Sequence, residues 1–197
     1  MTDVETGVRE HVHWAIFFRQ WLKNPLRMAS VVPSGQQLAR RMVNAMPQGT
    51  RRVIELGAGT GVMTQALIRH GIAASDLLVV ELNEALHALL QRRFPGVAVA
   101  CSDARHLREL VELSPDIGHV DAVLSSLGLL AIPKDVQRDI LASAFDVLRP
   151  GGVFIQYTYG LASPLDDSVA QQLGLRCRST GWAWRNLPPA QVFVYTR

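Results

Sequence analysis

Short apolar runs alternate with amphipathic stretches along most of the chain. Runs that are mostly apolar predict buried strands at Val53–Leu56, Asp76–Leu82, Val97–Cys101, His119–Ser126 and Val153–Tyr159. Between them, apolar residues recur three or four positions apart and predict helices at Gly35–Met46, Val62–His70, Asn83–Phe94, Ala104–Val111 and Pro133–Leu148. Alternating strands and helices indicate an α/β domain, a mostly parallel sheet with helices on both faces.

Both ends of this alternating region show further patterns. Ser34 is expected to cap the helix that begins at Gly35, and Arg149–Gly152 are expected to form a turn into the fifth strand. Near the C-terminus, Leu175–Trp184 and Gln191–Thr196 predict a final hairpin around residues 186–190.

The N-terminal segment predicts a helix of a different kind, Val8–Lys23, which ends before Pro25. One side carries mainly large apolar residues, and the other is mostly polar and basic. The pattern fits a helix that lies in a bilayer interface, and equally a helix packed onto its own domain. Its candidate membrane contacts, with Arg27 just beyond it, are Trp14, Phe17, Phe18, Arg19, Trp21, Lys23 and Arg27.

Composition excludes several classes of protein. The chain has 197 residues, of which 48% are hydrophobic and 19% charged, so it predicts one globular domain. No apolar run is long enough to span a bilayer or form a signal peptide, and a cytoplasmic location is expected. Cys101 and Cys177 are expected to be free thiols, and the six histidines form no metal-ligand pattern.

The positive charge is unevenly distributed. The net charge of +3 resides in residues 1–50, because the remainder carries equal numbers of acidic and basic side chains. A basic bias in one segment favours an anionic surface as partner, either a membrane or a nucleic acid.

The chemistry of the chain centres on a glycine-rich turn that follows the first strand. Gly57, Gly59 and Gly61 are spaced G-x-G-x-G, and Glu55 stands two residues before them. A strand, a glycine turn and a helix N-terminus form a site of nucleotide size. A carboxylate at this point would repel a pyrophosphate, but it suits a ligand with a cationic amino group, such as S-adenosylmethionine (SAM).

At these residues the sequence resembles the class I SAM-dependent methyltransferases. The resemblance implies a Rossmann-like fold with a mostly parallel seven-stranded sheet. It places Glu81 against the ribose hydroxyls and Asp103 against the adenine amino group, although Asp103 also suits a helix N-cap. The implied cofactor contacts are Glu55, Gly57, Ala58, Gly59, Thr60, Gly61, Glu81, Leu82, Asp103, Ala104 and Ser125.

A closer resemblance is carried by segments outside the glycine turn. They are FFRQWLKNP, SVVPSGQQLARRM, QYTYG and RNLPPAQVFVY, and they are similar to bacterial phospholipid N-methyltransferases. The resemblance implies stepwise methylation of phosphatidylethanolamine toward phosphatidylcholine. It also implies a membrane-binding and lid segment, residues 1–49, a SAM-binding core, residues 50–197, and peripheral attachment to the inner face of the cytoplasmic membrane. Anionic lipids are the expected partners, and neither nucleic acid nor metal is expected.

The expected reaction is a direct displacement by the amine nitrogen, which must first lose a proton. No His–Asp pair suggests a base, so a tyrosine hydroxyl, a carboxylate or backbone carbonyls are the candidates. The candidate catalytic residues are Tyr159, Ser125 and Tyr157, and of the two tyrosines only Tyr159 is expected to face the pocket. Aromatic rings bind methylated ammonium groups, and the further substrate candidates are Ser34, Trp182, Trp184 and Asn186.

Two other functions compete with this one. The first is an RNA or DNA adenine methyltransferase, but the expected Asn/Asp-x-Pro-aromatic motif is replaced by SSLG after the fourth strand. The second is a membrane-binding protein that senses SAM without turnover. The glycine turn, Glu81 and Asp103 argue against a lost cofactor site, but they do not establish turnover.

Overall fold

The computed structural model describes residues 33–197 except residues 115, 116, 185 and 187. The predicted helix Val8–Lys23 and its candidate membrane contacts therefore lie outside the described residues.

One seven-stranded sheet forms the centre of the fold, in the order β3-β2-β1-β4-β5-β7-β6. The strands are β1 (Val53–Leu56), β2 (Leu77–Glu81), β3 (Ala98–Cys101), β4 (Val120–Ser125), β5 (Leu148–Thr158), β6 (Arg176–Ala183) and β7 (Ala190–Thr196). The first five strands pair in parallel, and β7 runs antiparallel between β5 and β6. The predicted mostly parallel sheet of seven strands is confirmed, and so is the C-terminal hairpin.

Helices cover both faces of the sheet, as a parallel sheet requires. They are α1 (Pro33–Asn44), α2 (Val62–His70), α3 (Glu84–Arg93), α4 (Leu107–Glu112), α5 (Lys134–Val147) and α6 (Asp167–Gln172). Buried residues of α1, α2 and α3 form one core with one side of the strands. Buried residues of α4, α5 and α6 form a second core on the opposite side. We call these sides the α1 face and the α5 face.

The helix ends largely follow local sequence signals. The Asn83 side chain caps α3 by accepting a hydrogen bond from the Leu86 N–H at 3.1 Å. Gly71 ends α2 in the left-handed conformation, with φ of 106°. Pro33 occupies the first position of α1, where its missing N–H has no cost. The predicted capping role of Ser34 is wrong, because α1 begins before this residue and includes it.

Two other predicted boundaries differ from the structure, and one helix was not predicted. No turn separates α5 from β5, because Leu148 already pairs with Val120 and the register then shifts. The predicted helix Ala104–Val111 is a 3₁₀ turn followed by α4. The unpredicted helix is α6, which Asp166 caps by accepting a hydrogen bond from the Ser168 N–H.

Asp121 on β4 connects this region to the start of β1. Its Oδ2 accepts hydrogen bonds from the Arg51 and Arg52 N–H groups at 2.7 and 3.0 Å, and Arg149 forms an ion pair with Oδ1. Burial opposes ionisation of this carboxyl, but these donors outweigh it and lower its pKa.

Among the described helices, none is long and apolar enough to cross a membrane. Cys101 and Cys177 are free thiols, as predicted, and both are exposed.

Candidate active site

The glycine turn after β1 has the backbone conformation that its sequence predicts. Gly57, Gly59 and Gly61 have φ of 69°, 58° and 83°, a region that other residues rarely adopt. A Cβ at Gly57 would lie 2.7 Å from a Leu127 methyl carbon, and one at Gly61 would lie 2.4 Å from the Phe94 ring. The turn therefore requires glycine for its conformation and, at these two positions, for space.

Glu81, at the end of β2, holds this turn in place. Its Oε2 accepts a hydrogen bond from the Gly59 N–H at 2.8 Å, and its Oε1 accepts from the Asn83 N–H at 2.9 Å. Each carboxylate oxygen keeps a further lone pair, so Glu81 can also accept from ribose hydroxyls. Its neighbour Leu82 is 67% exposed, although it is a large apolar residue.

A cavity of about 320 Å³ opens beside Glu81 on the α5 face. Its lining is mainly apolar and comes from the loops at the carboxyl ends of β1 to β4 and from α5. The lining residues include Gly57, Glu81, Leu82, Asn83, Ser102, Asp103, Ala104, Ser126, Leu127, Gly128, Val136 and Ile140. An apolar slot with carboxylates at its wall suits an adenosyl group.

Five predicted cofactor contacts thus line one cavity: Gly57, Glu81, Leu82, Asp103 and Ala104. Ala58, Gly59, Thr60 and Gly61 belong to the turn beside it but not to its wall. The lining residues that were not predicted include Asn83, Ser102, Leu127 and the α5 residues. Only their position in the chain could have identified these loop residues, because loops at the carboxyl ends of parallel strands converge on one edge of the sheet.

Asp103 performs the capping role that its position predicted. Its Oδ1 accepts from the Arg105 N–H at 2.9 Å, and its carboxylate forms an ion pair with the Arg105 guanidinium. The hydrogen bond from the Arg105 side chain is the main cause of a lowered pKa at Asp103. An ionised carboxylate on the cavity wall is suited to accept from an adenine amino group, which stays a prediction.

Glu55 lies on the α1 face and not on the cavity wall. It is fully buried, and its Oε2 accepts a hydrogen bond from the Thr64 hydroxyl at 2.6 Å. Its Oε1 has no partner among the described residues. Burial is the main cause of a pKa raised to about 7. A buried acceptor without a partner, two residues before the glycine turn, fits a cationic amino group of a bound cofactor.

Ser125 does not reach the cavity. It is fully buried on the α5 face, and its Oγ accepts from the Leu127 N–H at 3.3 Å. The next residue, Ser126, lines the cavity instead. Gln156 supports the same loop by donating to the Leu127 carbonyl oxygen at 2.8 Å. Ser125 therefore supports the loop after β4 by its hydrogen bond to the backbone of that loop. Its position at the end of a strand fits this supporting role as well as it fits cofactor contact, so the sequence did not separate the two.

Tyr157 and Tyr159 lie together on the α1 face at the carboxyl end of β5. The expectation that they alternate faces, with only Tyr159 toward the pocket, is wrong, because residues two apart on a strand share a face. Neither tyrosine lines the cavity beside Glu81. Their ring centroids are 5.5 Å apart with an interplanar angle of 77°. The Tyr159 hydroxyl is hydrogen-bonded to the side chains of Tyr157 and Asn186.

Burial raises the pKa of both tyrosine hydroxyls, so both stay protonated near neutral pH. A protonated hydroxyl orients an amine but does not act as a strong base. Asn186 is itself buried and donates to the Pro188 carbonyl oxygen at 2.7 Å. These contacts fix the orientation of the Tyr159 hydroxyl.

Trp182 and Trp184 form a stacked pair at the end of β6, with ring centroids 5.2 Å apart. Trp184 is 70% exposed, and neither tryptophan lines the cavity beside Glu81. Among the described residues, no group of His, Cys, Asp and Glu forms a metal site.

Comparison with known proteins places this site in a family. Residues 53–152 match the family described as "Methyltransferase domain". An ornithine lipid N-methyltransferase of Singulisphaera acidiphila is 33% identical over 147 residues, which cover 73% of this chain and 76% of that protein.

Solved structures share the fold at low sequence identity. A glycopeptide N-methyltransferase, MtfA, in complex with SAM has a TM-score of 0.63 at 16% identity, covering 83% of this chain and 94% of that chain. A TehB-like SAM-dependent methyltransferase from Corynebacterium glutamicum has a TM-score of 0.61 at 18% identity, covering 94% and 98%.

The fold, the glycine turn and the acid at the end of β2 define a class I SAM-dependent methyltransferase. Within that class, the chain belongs to the methyltransferase domain family, whose description matches its sequence from β1 into β5. The expectations for the fold and for SAM as cofactor are confirmed.

Proposed function

We propose that this methyltransferase transfers methyl groups to the primary amine of a membrane lipid, with phosphatidylethanolamine as the acceptor and phosphatidylcholine as the final product. The observation that carries the proposal is the 33% identity to an ornithine lipid N-methyltransferase over 76% of that enzyme. The segments that resemble phospholipid N-methyltransferases favour phosphatidylethanolamine over other aminolipids.

Ornithine lipid is the second candidate acceptor, because the relative is named for it. Both lipids present an amine near a polar headgroup at the bilayer surface, so one site chemistry serves both. The headgroups differ in charge, because phosphatidylethanolamine carries a phosphate and ornithine lipid carries an amino-acid carboxyl group.

The cofactor is assigned to the cavity and the glycine turn. Glu81 would accept from the ribose hydroxyls, Asp103 from the adenine amino group, and Leu82 would lie along the adenine ring. Glu55 would neutralise the amino group through its unpartnered Oε1. When bound, SAM supplies an electrophilic methyl group for displacement by the acceptor nitrogen.

The acceptor amine is assigned to the other side of the same sheet edge. The Tyr159 hydroxyl, held by Asn186 and Tyr157, would orient the amine nitrogen. With both tyrosines protonated, the amine would lose its proton to water or to a phosphate of the lipid before attack. The two aromatic rings would then contact the methylated ammonium, a contact worth about 0.5–2 kcal/mol.

The enzyme would act as a peripheral protein on the inner face of the cytoplasmic membrane. Residues 1–49 are assigned to membrane binding and lid formation, and residues 50–197 to the methyltransferase core. Each basic residue near an anionic surface contributes about 1 kcal/mol, which makes anionic lipids the expected partners.

The direct test is a methyl-label assay with purified protein and labelled SAM. Vesicles of phosphatidylethanolamine with an anionic lipid, and vesicles containing ornithine lipid, are supplied in parallel, and the lipids are then separated. Label in the mono-, di- and trimethylated forms of phosphatidylethanolamine is expected. Label in ornithine lipid alone would change the acceptor, and no label in either lipid, with SAM bound, would refute the lipid assignment.

A matched pair of variants tests the role of the Tyr159 hydroxyl. Tyr159→Phe is expected to lower kcat with lipid roughly tenfold or more, without changing SAM affinity. Tyr195→Phe is the control, because Tyr195 lies in the core of the opposite, α5 face, where its hydroxyl is hydrogen-bonded to the Ser163 hydroxyl at 2.8 Å. Undiminished turnover in Tyr159→Phe would remove the hydroxyl from the mechanism.

A further inference from the structure

Exposed apolar side chains are concentrated at one edge of the sheet. All but one of the exposed large apolar residues in the described chain follow the carboxyl end of a strand: Val62, Leu82, Leu130, Leu161 and Trp184. The exception is Leu113, at the end of α4 near the opposite edge. Exposed apolar residues scattered singly are ordinary on a protein surface, but their concentration at one edge is not.

Three of these residues follow neighbouring strands of the sheet. Leu130 follows β4, Leu161 follows β5 and Trp184 follows β6, which runs parallel to β5 because both pair antiparallel with β7. A Cβ at Gly160 would lie 3.8 Å from a Leu130 methyl carbon, so the loops after β4 and β5 touch. We call Leu130, Leu161 and Trp184 the apolar rim.

Strand pairing brings the end of β5 close to the two tryptophans of the C-terminal hairpin. Thr158, at the end of β5, is paired with Gln191 of β7, and Gln191 is paired with Trp182 of β6. Trp182 in turn stacks on Trp184. The rim therefore borders the half of the sheet edge that holds Tyr157 and Tyr159.

We propose that the apolar rim is the surface by which the enzyme docks on a lipid bilayer, with Leu161 and Trp184 inserted among the headgroups. The inference rests on the proposed function, because a lipid amine must reach the carboxyl edge of the sheet while its acyl chains stay in the bilayer. Leucine and tryptophan are suited to this position, because tryptophan combines a large apolar ring with an N–H that hydrogen-bonds at the interface.

The entry point of the N-terminal segment supports a lipid occupant. The described chain begins at α1, where a Cβ at Gly35 would lie 3.8 Å from Val62 at the same edge. Residues 1–32, whose aromatic and basic residues fit a helix in a bilayer interface, precede α1 in the chain, and α1 begins at the carboxyl edge of the sheet. A bilayer that meets the rim therefore lies on the side of the fold from which α1 begins.

The test compares two surface leucines of equal exposure. Leu161 is 82% exposed and Leu113 is 81% exposed, but they lie near opposite edges of the sheet. Binding of the full chain to vesicles of phosphatidylethanolamine and phosphatidylglycerol is measured by co-sedimentation. Leu161→Ser and Trp184→Ser are each expected to weaken partitioning roughly tenfold, while Leu113→Ser binds like the unmodified protein.

Two further measurements separate docking from catalysis. With a water-soluble short-chain aminolipid, Leu161→Ser is expected to keep the unmodified kcat/KM, while its kcat/KM on vesicles falls with its binding. A nitroxide is attached at position 161 through Leu161→Cys, after replacement of Cys101 and Cys177 by serine. Its spin relaxation is expected to be accelerated by a lipid-soluble relaxant when vesicles are present. The same label in Leu113→Cys is expected to stay accessible to a water-soluble relaxant.

Several results would overturn the proposal. Equal vesicle binding by Leu161→Ser, Leu113→Ser and the unmodified protein would exclude the rim as the docking surface. A lower melting temperature of Leu161→Ser with unchanged vesicle binding would show that the chain itself covers the rim. If the unmodified protein methylates no lipid, the proposed function fails, but the binding and nitroxide measurements still decide whether the rim meets a membrane.

Discussion

The buried carboxyl of Glu55 predicts an unusual dependence of stability on pH. Its pKa is raised from an ordinary value of 4.5 to about 7, mainly because the side chain is fully buried. In the unfolded chain the carboxyl ionises above about pH 4.5, whereas in the fold it stays protonated up to about pH 7. The contribution of this group to stability is therefore complete below about pH 4.5 and is lost as the pH rises toward 7.

The difference between the two pKa values corresponds to a loss of about 3 kcal/mol of folding free energy between acidic and neutral pH. Glu55→Gln removes the titration and keeps an acceptor for the Thr64 hydroxyl. The variant is expected to match the unmodified protein near pH 4.5 and to exceed its free energy of unfolding by up to about 3 kcal/mol near pH 8.

Urea denaturation of both proteins across this pH range measures the effect, and Glu109→Gln on the exposed face of α4 is the control. The difference between the curves of the unmodified protein and Glu55→Gln isolates the titration of Glu55 from that of all other groups. Parallel curves for Glu55→Gln and the unmodified protein would refute the reasoning. If Glu55 also neutralises the cofactor amino group, SAM affinity rises with pH through about 7 in the unmodified protein and stays lower and flat in Glu55→Gln.

Three further predictions follow from the same contacts. Gly61→Ala is expected to lower the free energy of unfolding by roughly 3 kcal/mol, because a Cβ at this positive φ would also overlap the Phe94 ring. Gly49→Ala is the control, because Gly49 has a similar φ of 81° but open space around it, and it is expected to lose only about 1 kcal/mol. Equal losses of the two variants in urea denaturation would contradict the role of the overlap. Glu81→Gln is expected to weaken SAM binding at least tenfold by calorimetry, since one amide oxygen cannot accept all the hydrogen bonds that two carboxylate oxygens accept. Glu84→Gln, on the exposed start of α3, is the control, and equal SAM affinities of the two variants would contradict the assignment of Glu81. Asp121→Asn is expected to lose about 1–3 kcal/mol of free energy of unfolding at neutral pH, and progressively less as the pH falls through the lowered pKa of Asp121. If urea denaturation gives the same difference between Asp121→Asn and the unmodified protein at acidic pH, the ion pair does not explain the loss.

Local patterns in the sequence determined most of the element types. β1 and α2 match their predicted bounds because a short apolar run, a glycine turn and a helical repeat leave few other conformations. Local patterns did not determine the boundary between α5 and β5. Leu148 belongs to β5 because it pairs with Val120 on the neighbouring strand β4. α6 has only six residues, which is too short for a helical repeat of apolar positions to distinguish it from the loops around it.

The sequence by itself determined the cofactor class, because G-x-G-x-G after a strand and an acid at the end of the next strand have few other uses. Only the tertiary structure decided which side chains share the site. It placed Leu127 over Gly57, put Ser125 behind its loop and brought Asn186 to Tyr159 from a distant part of the chain. It also gathered the apolar rim from three separate loops, because parallel strands bring the loops at their carboxyl ends to one edge of the sheet however far apart they lie in sequence.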